Sequence, residues 1–474
     1  MTVTKFGNDL TQGSIPRHLL TLALPMLIAN LLNTGYQIVD AIWIGRIVGK
    51  EAIGAVAVSF PVVFIFIGVA VGATVATTIL VSQYYGARNY KKVEEIISTS
   101  FILSVVFGVI ISISGIMFNE HILKLMGTPE ALHQLASSYL RLTFAGLTVL
   151  YLSYLVTSIL RGLGDTKTPL LFTAIGVTVN AILDPLFIIG IGPFPKMGLD
   201  GAALASILSS FVALLLAFGY LKKKGLGKSF KVANLKFSRK LAAAICKIGF
   251  PSMIQQSAIS IGMFAVISYV NRFGEIATAA FGAGHRIEAV AFLPAMSIGL
   301  AVSSISGQNL GAGNFDRVHK TFRWGLLFTV SVSAFLSINF LIFANQLLSM
   351  FTTDQSVIDI GSGYLRIVGP STIMFAVMYV SNGVINGAGH TITTLVFTVI
   401  SIWGIRVPLS ATLSRTSLGI TGIWIAFAAS FFVTMCISLW WYYSGKWKKI
   451  TIKASVEKEL WGTEKVIEDY KPGV

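Results

Sequence analysis

Apolar residues run along the chain in twelve stretches, approximately residues 15–45, 52–81, 95–118, 134–160, 168–190, 199–221, 241–270, 278–307, 318–345, 358–385, 391–413 and 419–444, separated by short polar segments. Crossing a bilayer takes about 20 mostly apolar residues in a helix. Lipid offers no partner to an open backbone, so only helices or a closed barrel can span it. These stretches are too long and too continuously apolar for barrel strands, which alternate over roughly ten residues. The pattern therefore predicts an all-α integral membrane protein with twelve transmembrane helices. The polar segments divide it into an N-terminal piece (1–14), a first lobe (15–221), a connector (222–240), a second lobe (241–444) and a tail (445–474).

The two lobes repeat each other. QYYGARNYKKV at 83–93 matches QNLGAGNFDRV at 308–318, and at the same offset of 225 residues Tyr139-Leu140-Arg141 aligns with Tyr364-Leu365-Arg366 and RGLGDTKT (161–168) with NGAGHTIT (386–393). Nearby offsets pair Pro25 with Pro251 and Pro185 with Pro408. A six-helix unit has an even number of crossings, so both copies enter the membrane with the same polarity. Two six-helix bundles related by a pseudo-two-fold axis along the membrane normal follow, with a cleft between them. In transporters built this way the cleft holds the substrate, and rocking of the bundles opens it to each side in turn.

Composition sharpens this picture. Only 12% of residues are charged and the mean hydropathy is +0.77, against about 25% charged in a soluble domain. The net charge of +16 reads as topology and not as nucleic-acid binding, because the bases gather in loops and tail. The connector KKKGLGKSFKVANLKFSRK alone holds eight bases and no acid. The positive-inside rule then puts both termini in the cytoplasm of a protein in the cytoplasmic membrane. Residues 1–15 show no apolar core followed by a cleavage site, so the N-terminus is expected to be retained. Cys246 and Cys436 lie in apolar stretches and offer neither a disulfide framework nor a metal site. The tail mixes bases, acids and aromatics as an interfacial segment would.

Ionisable groups within spanning helices usually face an interior or a water-filled cavity. Asn33, Tyr36, Gln37 and Asp40 share one face of the first helix; Thr173, Val177, Asn180 and Asp184 share one face of the fifth. Two carboxylates at similar depth in one lobe could share a proton or a cation, with Asn180 bonding within its helix, to Asp184 or to an ion. The offset sets Asp40 against Val266 and Asp184 against Val407, which would confine ion handling to the first lobe. Phe60, Pro61, Phe64, Phe66, Phe144 and Tyr151 could stack on a flat or cationic substrate or pack as lipid-facing aromatics do. Pro25 kinks the first helix as a hinge or as a fixed bend. His285, Arg286 and Glu288 form a structural cluster, with Arg286 and Glu288 as the candidate pair, or a second ion site. Gly68 and Gly72 permit close helix packing. Walker-type, H-E-x-x-H and D-D-x-x-D motifs are absent, so transport would draw on an ion gradient.

LTQGSIPRHLLTLALPMLIANLLNTGYQIVDAIWIGRIVGKEAIGAVAVSFP (10–61), QYYGARN, LRGLGDTKTP (160–169), VNAILDPLFI (179–188) and GLDGAALAS (198–206) together resemble bacterial multidrug and toxic compound extrusion (MATE) transporters. The resemblance implies a two-lobed antiporter that exports lipophilic organic cations and other amphipathic drugs in exchange for protons or sodium. It is most similar to the DinF-like branch, in which acids matching Asp40 and Asp184, beside residues matching Asn180 and Tyr36, form the ion site. A bend at the proline matching Pro25 is linked to protonation there. NorM-type acids of helices 7 and 10 have no counterpart here. The threonine that some relatives supply from helix 6 is replaced by the stretch Ala202 to Ser206, and the loss of that hydroxyl favours protons over sodium. The resulting expectation is a proton-coupled drug antiporter with Asp40, Asp184 and Asn180 for coupling, Asn33, Tyr36, Gln37, Asp40, Phe60, Phe64 and Phe144 for substrate, and Pro25 as hinge. No resident cofactor or metal and no nucleic-acid partner is expected; small-molecule drugs, lipid and a monomeric state are. The alternatives are a sodium-coupled drug antiporter, a lipid-linked oligosaccharide flippase of the same superfamily, and an intramembrane enzyme.

Overall fold

A computed structural model describes residues 7–230 and 235–448. Twelve helices are long and apolar enough to cross a membrane: α1 (Ile15–Val48), α2 (Lys50–Gly86), α3 (Tyr90–Leu125), α4 (Glu130–Gly162), α5 (Lys167–Gly190), α6 (Leu199–Lys223), α7 (Arg239–Asn271), α8 (Glu275–Gly311), α9 (Phe315–Ile342), α10 (Gln355–Gly387), α11 (Thr391–Leu413) and α12 (Ile420–Tyr443). The twelve predicted stretches each fall on one of them. Residues 1–6, 231–234 of the connector and 449–474 of the tail lie outside the described residues.

Helix boundaries follow local chemistry, and they repeat between lobes. Asn89 caps α3 by accepting the Lys92 N–H at 3.2 Å, as a short polar side chain does for an otherwise orphaned donor. The sharp reversals between α1 and α2 and between α7 and α8 pass through Gly49 (φ 111°) and Gly274 (φ 88°), a backbone region that side chains disfavour. Segments of π-helix, Ile44–Val48 and Leu186–Gly190, end α1 and α5, and a third, Ile400–Arg406, interrupts α11. Two of them follow within a few residues of Asp40 and Asp184. Such wide turns recur at functional sites.

The helices pack as two six-helix lobes, α1–α6 and α7–α12, but the lobes exchange halves of their first helices. Ile15, Leu19, Leu22 and Met26 of α1 are buried with Ile298, Val302 and Ile305 of α8 and with Phe322 and Val384. In return Leu241, Ile245 and Ile248 of α7 are buried with Ile79, Leu80 and Leu155 of the first lobe. Further along, Ile44 of α1 rejoins its own lobe, and Val266 and Val270 of α7 rejoin theirs. The boundaries at 15–221 and 241–444 thus divide the chain but not the packing. Gly68 and Gly72 lie where α2 meets α7: a side chain at Gly72 would strike the Met253 backbone, and one at Gly68 would approach Gln256.

Pro25 and Pro251 are buried near these crossovers. Proline lacks the N–H that would bond the carbonyl four residues back, which frees the Thr21 carbonyl. The Thr166 hydroxyl, from the α4–α5 loop, donates to that carbonyl at 3.2 Å. Its repeat partner Thr391 donates to the Ile248 carbonyl of α7 at 2.8 Å. The D-T and H-T steps of the repeated loop motif therefore hold the two proline-bearing helices.

Candidate functional site: a buried acid cluster in the first lobe

Asp40 and Asp184 come together. Helix α5 buries Asp184 completely, at 0% exposure, and Asn180 one turn before it. With its amide oriented to suit both neighbours, Asn180 donates to Asp184 Oδ2 at 2.8 Å and accepts from the Ser206 backbone N–H at 3.2 Å. Tyr36 of α1 and Ser206 of α6 share a hydroxyl–hydroxyl bond of 2.7 Å. Asp40, one helical turn beyond Tyr36, acts electrostatically on Asp184, Tyr36 and Tyr139. Its Oδ1 is buried without a hydrogen-bond partner. Oxygen and amide groups from α1, α4, α5 and α6 thus surround two carboxylates, and among the described residues no lysine or arginine is their partner.

Ser206 corrects the sequence reading. Ala202 to Ser206 contained a hydroxyl after all, and it reaches the cluster from the last position of that stretch. An isolated serine in an alanine-rich helix carries no pattern to set it apart; its place one turn beyond Ala202 on the same helix face is the signal that could have found it.

The expected substrate-facing residues divide. Asn33 and Gln37 are exposed on α1, while Tyr36 turns into the cluster. Phe60 and Phe64 are 54% and 45% exposed and stack on each other at 5.6 Å. Phe144 departs from the expectation: it is 1% exposed, meets Phe66 edge-on at 5.1 Å and fills the space beside Gly115. Its ring is core of the lobe, because the glycine opposite lets the helices close over it.

The second lobe buries one acid differently. Glu288 of α8 is 1% exposed. It meets His285 Nδ1 at 3.2 Å and accepts the Tyr364 hydroxyl, and it interacts electrostatically with Arg406. The Arg406 guanidinium lies over the rings of Phe427 (4.4 Å) and Phe431 (4.6 Å) and donates to Ser430 Oγ at 2.9 Å. Arg286, the partner suggested by spacing, points to the exposed side of the helix. Residues two apart on a helix do not face each other.

A repeated helical bundle with a buried ionisable cluster defines a multi-pass membrane protein of the transporter class. The MatE family profile matches residues 25–186 and again 251–412, once in each lobe. The chain belongs to the MATE family of multidrug efflux transporters, which are carriers and not enzymes. It is 32% identical over 451 residues to the probable multidrug resistance protein YoeA of Bacillus subtilis, covering 94% of this chain and 97% of that one. Its fold is similar to a MATE multidrug resistance transporter of the MOP superfamily solved in an outward-facing conformation (TM-score 0.86, 25% identity, 94% and 98% of the two chains). It also resembles a MATE structure in a bent conformation (TM-score 0.85, 25% identity, 92% and 96%).

Proposed function

We propose that this chain exports lipophilic organic cations and related amphipathic compounds by antiport against protons handled at Asp40 and Asp184. The observation that carries the reading is the pairing of buried Asp184 with half-buried Asp40, without a basic partner among the described residues and with one Asp40 oxygen buried and unpartnered. Burying a charge without compensation is costly, so such a site gains from taking up a cation or a proton. Asp40 sits on the helix bent at Pro25, beside exposed Asn33 and Gln37. Protonation of Asp40 removes the charge that attracts a cationic substrate, and α1 rearranges about Pro25 as the lobes rock. The bent conformation of a relative supports such a movement. Basic loops at the N-terminal face support an orientation with both termini in the cytoplasm.

Sodium coupling is the second reading, and Ser206 favours it: the carboxylates, the Asn180 amide and the hydroxyls of Tyr36 and Ser206 form an oxygen-rich set of the kind hard cations take. Reconstitution in liposomes separates the two. Efflux of a fluorescent lipophilic cation should respond to an imposed pH gradient and not to a sodium gradient, and Asp40→Asn should bring it to the level of empty liposomes. Efflux driven by sodium alone would replace the proton scheme, and an active Asp40→Asn protein would remove Asp40 from it.

A further inference from the structure

The repeated motif QYYGARN/QNLGAGN has no part in the acid cluster, and the structure gives it a different place. Gln83 near the end of α2 donates through Nε2 to the Gly387 carbonyl at the end of α10, at 2.6 Å. Gln308 near the end of α8 donates through Nε2 to the Gly162 carbonyl at the end of α4, at 3.0 Å. Each bond crosses from one lobe to the other, and donor and acceptor of one are the repeat partners of donor and acceptor of the other. Both glutamines are buried. Gly86 rests against the Gln308 backbone and Gly311 against the Gln83 backbone, so closely that a side chain at either would collide with the opposite main chain.

One feature breaks the symmetry. The segment leading into α1 lies across this junction. On the first lobe Asn8 is held by the Leu163 carbonyl (2.8 Å to its N–H) and the Gly164 carbonyl (2.7 Å to its side chain). On the second lobe the Leu10 N–H donates to Gln308 Oε1 at 2.9 Å. The Leu10 carbonyl accepts from Asn309 and from Arg317, both at 3.2 Å, and Arg317 also donates to the Gly13 carbonyl at 3.1 Å. Gln308 therefore has both ends of its amide engaged, whereas Gln83 Oε1 is buried with no partner.

We propose that Gln83 and Gln308 form a two-fold latch that closes the N-terminal face of the cleft, with residues 8–13 as a strap tightening the Gln308 side. Opening this face during transport requires both crossing bonds to break and the strap to leave one lobe. The unpaired Gln83 oxygen makes its half the weaker, so the face parts there first.

The latch is tested by distance and not by transport. Spin labels at Lys91→Cys and Asp316→Cys, exposed repeat-equivalent positions beginning α3 and α9, report the separation of the lobes in a Cys246→Ser, Cys436→Ser background by pulsed electron spin resonance. The unsubstituted latch should give mainly the short distance. Gln308→Ala, which removes two buried bonds, should raise the population at longer distance at least about fivefold, and Gln83→Ala, which removes one, should raise it less. Arg317→Gln, which loosens the strap by removing its bonds to the Leu10 and Gly13 carbonyls and leaves both glutamines in place, should act in the same direction. Distributions unchanged in all three variants, each melting within a few degrees of the parent, would overturn the latch. The proposal rests on alternating access but not on the coupling ion: a distance shift without drug efflux would keep the latch and remove the export reading.

Discussion

The two lobes come from one repeated unit, yet they treat a buried carboxylate in opposite ways. Tyr139 and Tyr364 are repeat partners, and each attends an acid: Tyr139 lies within electrostatic range of Asp40, and Tyr364 donates to Glu288. In the second lobe Glu288 is answered by Arg406, itself held between Phe427 and Phe431, and by His285. In the first lobe the neighbours of Asp40 and Asp184 among the described residues are neutral: Asn180 donates to Asp184, and the bonded pair Tyr36 and Ser206 lies beside them. A compensated acid is a structural fixture that costs stability when broken. An uncompensated pair is poised to change its charge. The same scaffold thus leaves two acids facing neutral groups in one copy and sets an acid near a cation in the other, and the divergence lies in whether a cation was supplied.

This contrast can be broken most strongly at Asp184. Asp184→Asn, which keeps the shape and removes the charge, should lower drug efflux in liposomes at least about tenfold, the loss expected when one charge-assisted step is removed, while the thermal midpoint holds or rises. Stability lost with transport intact would make Asp184 structural. Glu288→Gln should behave in reverse: it takes the negative charge from the neighbourhood of half-buried Arg406 and weakens the bonds to His285 and Tyr364, which costs about 1–3 kcal/mol, read as a lower midpoint in detergent, with the coupling ion unchanged. Adding Arg406→Gln should recover part of that loss. Ser206→Ala should have a smaller effect, about 1 kcal/mol for the lost hydroxyl bond to Tyr36, seen as a several-fold slower efflux. If sodium drives transport, the same change should raise the sodium concentration needed for half-maximal rate. The smallest effect belongs to Thr166→Val, which strips the Thr21 carbonyl of its replacement donor. It should cost about 1 kcal/mol or less, read as a slightly lower thermal midpoint in detergent.

Much of the architecture could be read from residues alone, because lipid imposes a length on every crossing and the duplication left aligned motifs. The polar stripes carrying Tyr36 and Asp40 and Asn180 and Asp184 were equally visible, since a carboxylate in an apolar helix is rare. Three things were not. Ser206 is one hydroxyl among small residues, and only the approach of α6 to α1 and α5 gives it a role. Phe144 and Phe64 have the same composition signal, and the glycine across from Phe144 decides that it is core. Glu288 was expected beside Arg286 by nearness along the chain, yet its cation arrives from Arg406 on another helix, which no local periodicity encodes. The exchange of the first halves of α1 and α7 is likewise invisible in hydropathy, because an apolar surface fits either lobe.

That exchange bears on how the protein is made. The first half of α1 is synthesised before the other eleven helices, but its packing partners Ile298, Val302, Phe322 and Val384 follow only after the whole first lobe and the connector have been translated. When α6 is complete, the first lobe still lacks Leu241, Ile245 and Ile248, which α7 contributes to its interior. Each half of the chain is therefore unfinished until the other arrives: the α7 end meets partners already made, whereas the α1 end meets its own only once α8, α9 and α10 have followed.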